Sequence, residues 1–200
     1  MDNVLLTAVQ NNQDGVKAQA RGGKQGDTVV SELHGRYYEQ TYRGNMFSIS
    51  TQGTNVTTTA ALATTFTGLA ISNPAGSGVN LVLNQFTAAQ FAVGVAGTIG
   101  IMGGIGVLTA SLTPQSRVIG GGQVSKALAS ASATISTPLL IATYGSVGSG
   151  ATTVPLAFQG ICKDFEGSLI VPPGSFIASY TSTAQTSAWQ FSFCWEEVPI

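Results

Sequence analysis

Charge is what this sequence has least of. Lys, Arg, Asp and Glu make up 8% of its 200 residues, against roughly a quarter of an ordinary soluble chain. Ten of the 17 charged residues lie before Asn45, and the long stretch from Ser48 to Gly160 carries two, Arg117 and Lys126. Disorder does not explain the shortage, because 44% of the chain is hydrophobic and the net charge is −1. The balance also excludes the basic stripe of a nucleic-acid binder. The surface must be made of Ser, Thr, Asn, Gln and Gly. A nearly neutral surface is poorly protected against association. Much of it is therefore expected to be covered by copies of the chain or by partners.

Histidine and cysteine are scarce too. His34 is the single histidine, so no histidine-based metal cluster can form. Cys162 and Cys194 cannot complete a tetrahedral site alone. Two cysteines make no disulfide framework. They are expected as two free buried thiols, pairing only if their strands are neighbours. No local signature joins either thiol to His34 as a nucleophile and base. Glu196 and Glu197 must point to opposite faces of a strand. Asp164 and Glu166 are expected to share a face, where two carboxylates more often solvate a turn or meet a partner's Arg than catalyse. The expectation is no catalytic residue, no cofactor and no metal, hence not an enzyme.

Signals for export and membranes are missing as well. Asp2 stands where a signal peptide needs positive charge, and the apolar run at Val4–Leu5 is short, so no signal peptide is expected. The uncharged run from Phe91 to Ala110 is long enough to span hydrocarbon. It contains six glycines and lacks flanking Lys or Arg, which argues against a membrane role.

What is present is strand texture. Residues 1–26 are rich in turn formers and read as an arm. From Thr28, "TVVSELHGRYYEQTYRGNMFSIST" reads as strand with kinks at Gly35 and Gly44. "TNVTTTAALATTFTGLAIS", "VNLVLNQF", "GVLTASL", "PLLIATY", "VPLAFQGI", "GSLIV" and "SFIASYTS" follow, separated by turn signals such as "NPAGSG" and "PPG". Short strands at this spacing indicate a sandwich or barrel. A helix or a long exposed loop is expected in "QVSKALASASATI", where Val124, Ala127, Leu128, Ala131 and Ile135 share a helical face. Gly94, Gly97, Gly100, Gly103 and Gly106 recur every third residue without the proline of a collagen segment, and a loop, a kinked strand or a close contact between chains is expected there. In "WQFSFCWEE", Trp189, Phe191, Phe193 and Trp195 alternate with Gln190, Ser192, Cys194 and Glu196. This strand should anchor the core.

The stretches "GKQGDTVVSELHGRYYEQTYRGNMF", "TGLAISNPAGSGVNLVL" and "GSLIVPPGSFIASYTSTAQTSAWQFSFCWEEVPI" together resemble tailed-bacteriophage virion structural proteins of head decoration or cement type. The likeness is one of texture over most of the chain. It implies an all-β, jelly-roll-like antiparallel β-sandwich with an extended N-terminal arm. Residues 1–45 would hold the arm and first strand region, and 46–200 the sandwich. It further implies a homotrimer on the exterior of the capsid that bridges copies of the major capsid protein, made in the host cytoplasm. A tail- or fibre-associated virion protein, or a carbohydrate- or cell-surface-binding sandwich, are the alternatives. Arg36, Tyr37, Tyr38, Tyr42 and Arg43 are residue types enriched at interfaces and are the expected partner contacts.

Overall fold

The computed structural model describes residues 21–22, 28–29, 35–51, 56–90, 92, 94–147 and 160–200. The chain divides into two units, Met1–Tyr38 and Glu39–Ile200. In the first, strands β1 (Arg21–Gly22) and β2 (Thr28–Val29) pair antiparallel. The rest of the expected arm lies outside the described residues, as does His34.

The second unit contains β3 (Met46–Ser50), β4 (Val56–Thr58), β5 (Thr65–Asn73), β6 (Val79–Gln90), β7 (Gly97–Ile105), β8 (Gln115–Ser116), β9 (Leu128–Thr134), β10 (Leu139–Val147), β11 (Gly160–Val171), β12 (Ser175–Thr181) and β13 (Gln185–Pro199). Five strands form one sheet in the order β10-β7-β12-β5-β9. The other sheet runs β11-β6-β13-β3-β8, and β4 also pairs with β13. The antiparallel partners nest: β3 with β13, β5 with β12, β6 with β11, β7 with β10. That is one long hairpin rolled up so that successive pairs fall in alternate sheets, the jelly-roll arrangement. Strands β8 and β9 both lie in the connection from β7 to β10, and they extend the far side of each sheet.

The alternating strand does anchor the core. Trp189, Phe191, Phe193 and Trp195 are all buried. Phe86 meets Phe191 and Phe193 at centroid distances of 6.1 and 5.0 Å, and Phe47 stacks on Trp195 at 6.4 Å. Alternation on β6 is broken once. Cys194 faces Gln85 while Trp195 faces Leu83, so Asn84 is an extra residue. This bulge lets odd Leu81 and Leu83 and even Phe86 and Ala88 all reach the core.

Several local expectations are corrected. The tyrosine stretch is not strand throughout: Tyr38–Tyr42 form a short helix, α1. Arg43 and Glu39 form an i,i+4 ion pair of 2.7 Å across it, and Gly44 ends it with a φ of +78°. The expected helix or loop is instead strand β9. Its serines explain the change: the Ser130 hydroxyl donates to the Ser132 carbonyl at 2.6 Å, and the edge of β5 supplies the ladder. Serine that bonds nearby backbone in this way competes with a helix. "GVLTASL" leaves the sheet after Gly106, whose φ is +148°, and keeps a single bridge from Leu112 to Ala129. The glycine repeat is regular strand, β7, between β10 and β12. Most of "VPLAFQGI" lies outside the described residues.

Candidate functional site

The five expected contact residues divide between the two units. In the first, the Arg36 guanidinium sits over the Tyr37 ring, 5.3 Å from its centroid, and Tyr38 is 46% exposed. In the second, Tyr42 is 71% exposed and Arg43 is tied to Glu39.

Two other surfaces were not legible in the sequence. The first is the side of the sandwich where both sheets end, at β10 and β11. No described strand pairs with the outer edge of either. Strand β10 contains no charged residue, and Leu139, Leu140 and Ile141 are all exposed, Leu139 to 68%. Ile170 of β11 is exposed as well. A cleft of about 180 Å³ opens between these edges, lined by Ile141, Leu169, Ile170 and Phe176. Natural sheets usually protect such an edge with charge or proline. Here β10 has only its two register shifts, next to Ala142 and Gly145. The signal was the unbroken run Leu139–Ile141, but an apolar run looks the same whether a strand is covered by its own chain or by another.

The second surface is the outward face of the six-stranded sheet. Register places Gln115, Ser48, Cys194, Gln85 and Asp164 in one row across the sheet. Ser50, Ser192, Thr87 and Cys162 form the next row. A shallow depression of about 280 Å³ opens there, with Arg117 as its single charged lining residue. The Arg117 amide donates to the Met46 carbonyl at 2.9 Å, which fixes the residue just beyond β8. No carboxylate of the described residues pairs with its side chain. Cys194 is buried in the floor. Burial pushes its thiol pKa up, and the nearby Arg117 charge pulls it partly back.

Among the described residues the titratable groups do not converge. Cys162 is exposed, correcting the expected buried thiol, and both cysteines are free. Their strands flank β6 and are not neighbours, so geometry keeps them apart. Asp164 accepts a 2.8 Å hydrogen bond from Gln85 Nε2, while Glu166 sits at φ +53° beside Gly167 in a bulge. The bulge breaks the alternation on which a shared face depended. Glu197 turns inward and is buried, accepting hydrogen bonds from Ser125 Oγ at 2.5 Å and the Lys126 amide at 2.8 Å. This carboxylate clasps the connection into β9 onto the last strand. Among the described residues no three His, Cys, Asp or Glu side chains are placed to share a metal ion. No helix among them is long and apolar enough to cross a membrane.

Comparison with protein-family models, curated proteins and solved structures finds no match to this chain.

Proposed function

We propose that the chain is a virion structural protein, of head decoration or cement type, that assembles as a homotrimer and bridges subunits of the major capsid protein. The observation that carries this reading is the uncharged strand at the edge of the five-stranded sheet. Strand β10 (Leu139–Val147) lies at a sheet edge and exposes three consecutive large apolar side chains. Left open, such an edge invites pairing with other chains. Covered in a symmetric assembly, it buries apolar area and completes a ladder. The low charge of the chain supports the same reading, because a surface covered by copies does not need charge for solubility. The resemblance to phage decoration proteins supplies the setting. Exposed Tyr38 and Tyr42, with Arg36, Tyr37 and Arg43, are the proposed contacts to the capsid subunit.

Light scattering on the purified protein tests the assembly. The expected mass is three times that of a single chain. Leu139→Lys together with Ile141→Lys should shift it toward the single-chain value. A wild-type monomer would remove the main support for the reading. Copy number per particle separates the head reading from the tail reading. A number close to that of the major capsid protein fits decoration, and a far smaller number fits a tail component.

A further inference from the structure

We infer that the depression on the outward face of the six-stranded sheet is a binding site for a sugar acid, a carboxylate carried on a polyhydroxyl ring. The argument starts from Arg117. It is one of only two charges between Ser48 and Gly160, it lines the depression, and its backbone is fixed by the amide bond to Met46. It lines the same depression as Cys194, and no described carboxylate neutralises it. A guanidinium presents a planar fork of donors, and a carboxylate is the group that matches it two bonds at a time.

The rest of the lining selects what carries that carboxylate. Ser48, Ser192, Gln85 and Gln115 offer hydroxyl and amide groups in fixed register across neighbouring strands. Gln85 is oriented by its bond to Asp164, which turns its amide oxygen away from that carboxylate as an acceptor. Such groups pair with ring hydroxyls. The aromatic and aliphatic side chains among the lining residues, Phe193 and Ile49, belong to the buried core, so the depression has no ring for stacking. That disfavours nucleobases and flat aromatic ligands. A volume of about 280 Å³ suits a single sugar unit. The site lies on the opposite face of β13 from its core aromatics and does not depend on the assembly reading.

The test is titration calorimetry of the full chain with tetragalacturonate, with maltotetraose and a tetra-aspartate peptide as comparisons. Tetragalacturonate should bind, weaken with added salt, and lose about tenfold or more in affinity in Arg117→Gln. Maltotetraose should not bind measurably. Saturating tetragalacturonate should also slow the reaction of Cys194 with a thiol reagent several-fold, by covering it, and leave Cys162 unchanged. Circular dichroism and light scattering of Arg117→Gln check that fold and assembly are intact, so that loss of the site is distinguished from loss of the trimer. Equal affinity in wild type and Arg117→Gln overturns the inference. So does equal or tighter binding of the peptide, which would assign the depression to a protein carboxylate, and so does no binding of tetragalacturonate at millimolar concentration.

Discussion

Gly100→Ala measures how closely β10 is pressed onto β7. A Cβ built on Gly100 falls on the carbonyl oxygen of Ala142, with the Ala142 carbonyl carbon and Thr143 Cα both at 2.9 Å. These are backbone atoms, so no change of rotamer relieves the contact. Ala142 lies between the two register shifts of β10, where the chain bends toward its neighbour. To admit the methyl group, β10 must move outward by about an ångström to recover van der Waals distance. Overpacking of this kind costs about 1–3 kcal/mol. Lengthening one or two ladder hydrogen bonds adds about 1 kcal/mol each. Restricting the unfolded chain returns about 0.4–1 kcal/mol. The net expectation is a loss of about 2–4 kcal/mol. For a chain of this size about 2–4 °C of Tm corresponds to each kcal/mol, so Tm should fall by about 5–15 °C. Urea unfolding followed by tryptophan fluorescence reads it directly, since Trp189 and Trp195 are both in the core. Two controls fix the interpretation. A Cβ at Gly122 meets nothing within 4 Å, so Gly122→Ala should be neutral or stabilising by up to about 1 kcal/mol. At Gly160 it meets only the Ala88 carbonyl oxygen, at 4.0 Å, so Gly160→Ala should lose less than about 1 kcal/mol. If Gly100→Ala were as stable as Gly122→Ala, the close approach of β10 to β7 would be wrong.

Other outcomes follow from the same structure. Glu197→Ala should lose about 2–3 kcal/mol, because it strands the Ser125 hydroxyl and the Lys126 amide. Glu197→Gln keeps an acceptor oxygen and should lose less than half of that in the same urea titration, so equal losses would dissolve the clasp. Burial raises the pKa of the Cys194 thiol and the Tyr144 phenol. The folded chain then holds both protons more tightly than the unfolded chain. Their contribution to stability is whole below the unfolded-state values, about 8.5 and 10, and is lost as pH rises through them toward the folded values. The urea midpoint should fall across that alkaline window, less steeply in Cys194→Ala, and an unchanged slope would contradict the burial. In native protein one thiol, Cys162, should react quickly with an aromatic disulfide and Cys194 slowly. Two equal rates would place Cys194 at the surface. Removing residues 1–26 should leave the stability of the sandwich within about 1 kcal/mol of the full chain, read from its thermal transition. Loss of the folded trimer instead would make that segment part of its core.

The alternation in "WQFSFCWEE" determined by itself that β13 has one buried face, because a period of two leaves four aromatics no other way to share an environment. Turn formers between β-branched runs likewise specified a sandwich or barrel, and "NPAGSG" determined the turn between β5 and β6. These are local facts, written in neighbouring residues. What the tertiary structure alone decided depends on partners far away in sequence. The serine-rich segment became β9 because the edge of β5 lay open to it, and a helical face of alanines is too weak to compete. The glycine repeat became β7 because β10 and β12 pair with it on either side, and Ala142, three strands later in the chain, comes too close for any side chain at Gly100. Spacing along the chain records that glycine is tolerated, not what presses against it. Glu197 and Arg117 show the same limit. One charge is turned inward to clasp a loop far upstream of it, and the other is set over a polar row drawn from strands scattered along the chain. The exposed run Leu139–Ile141 is the sharpest case. Its composition states that it must be covered, and only its place at the end of a sheet shows that this chain's described residues leave it open.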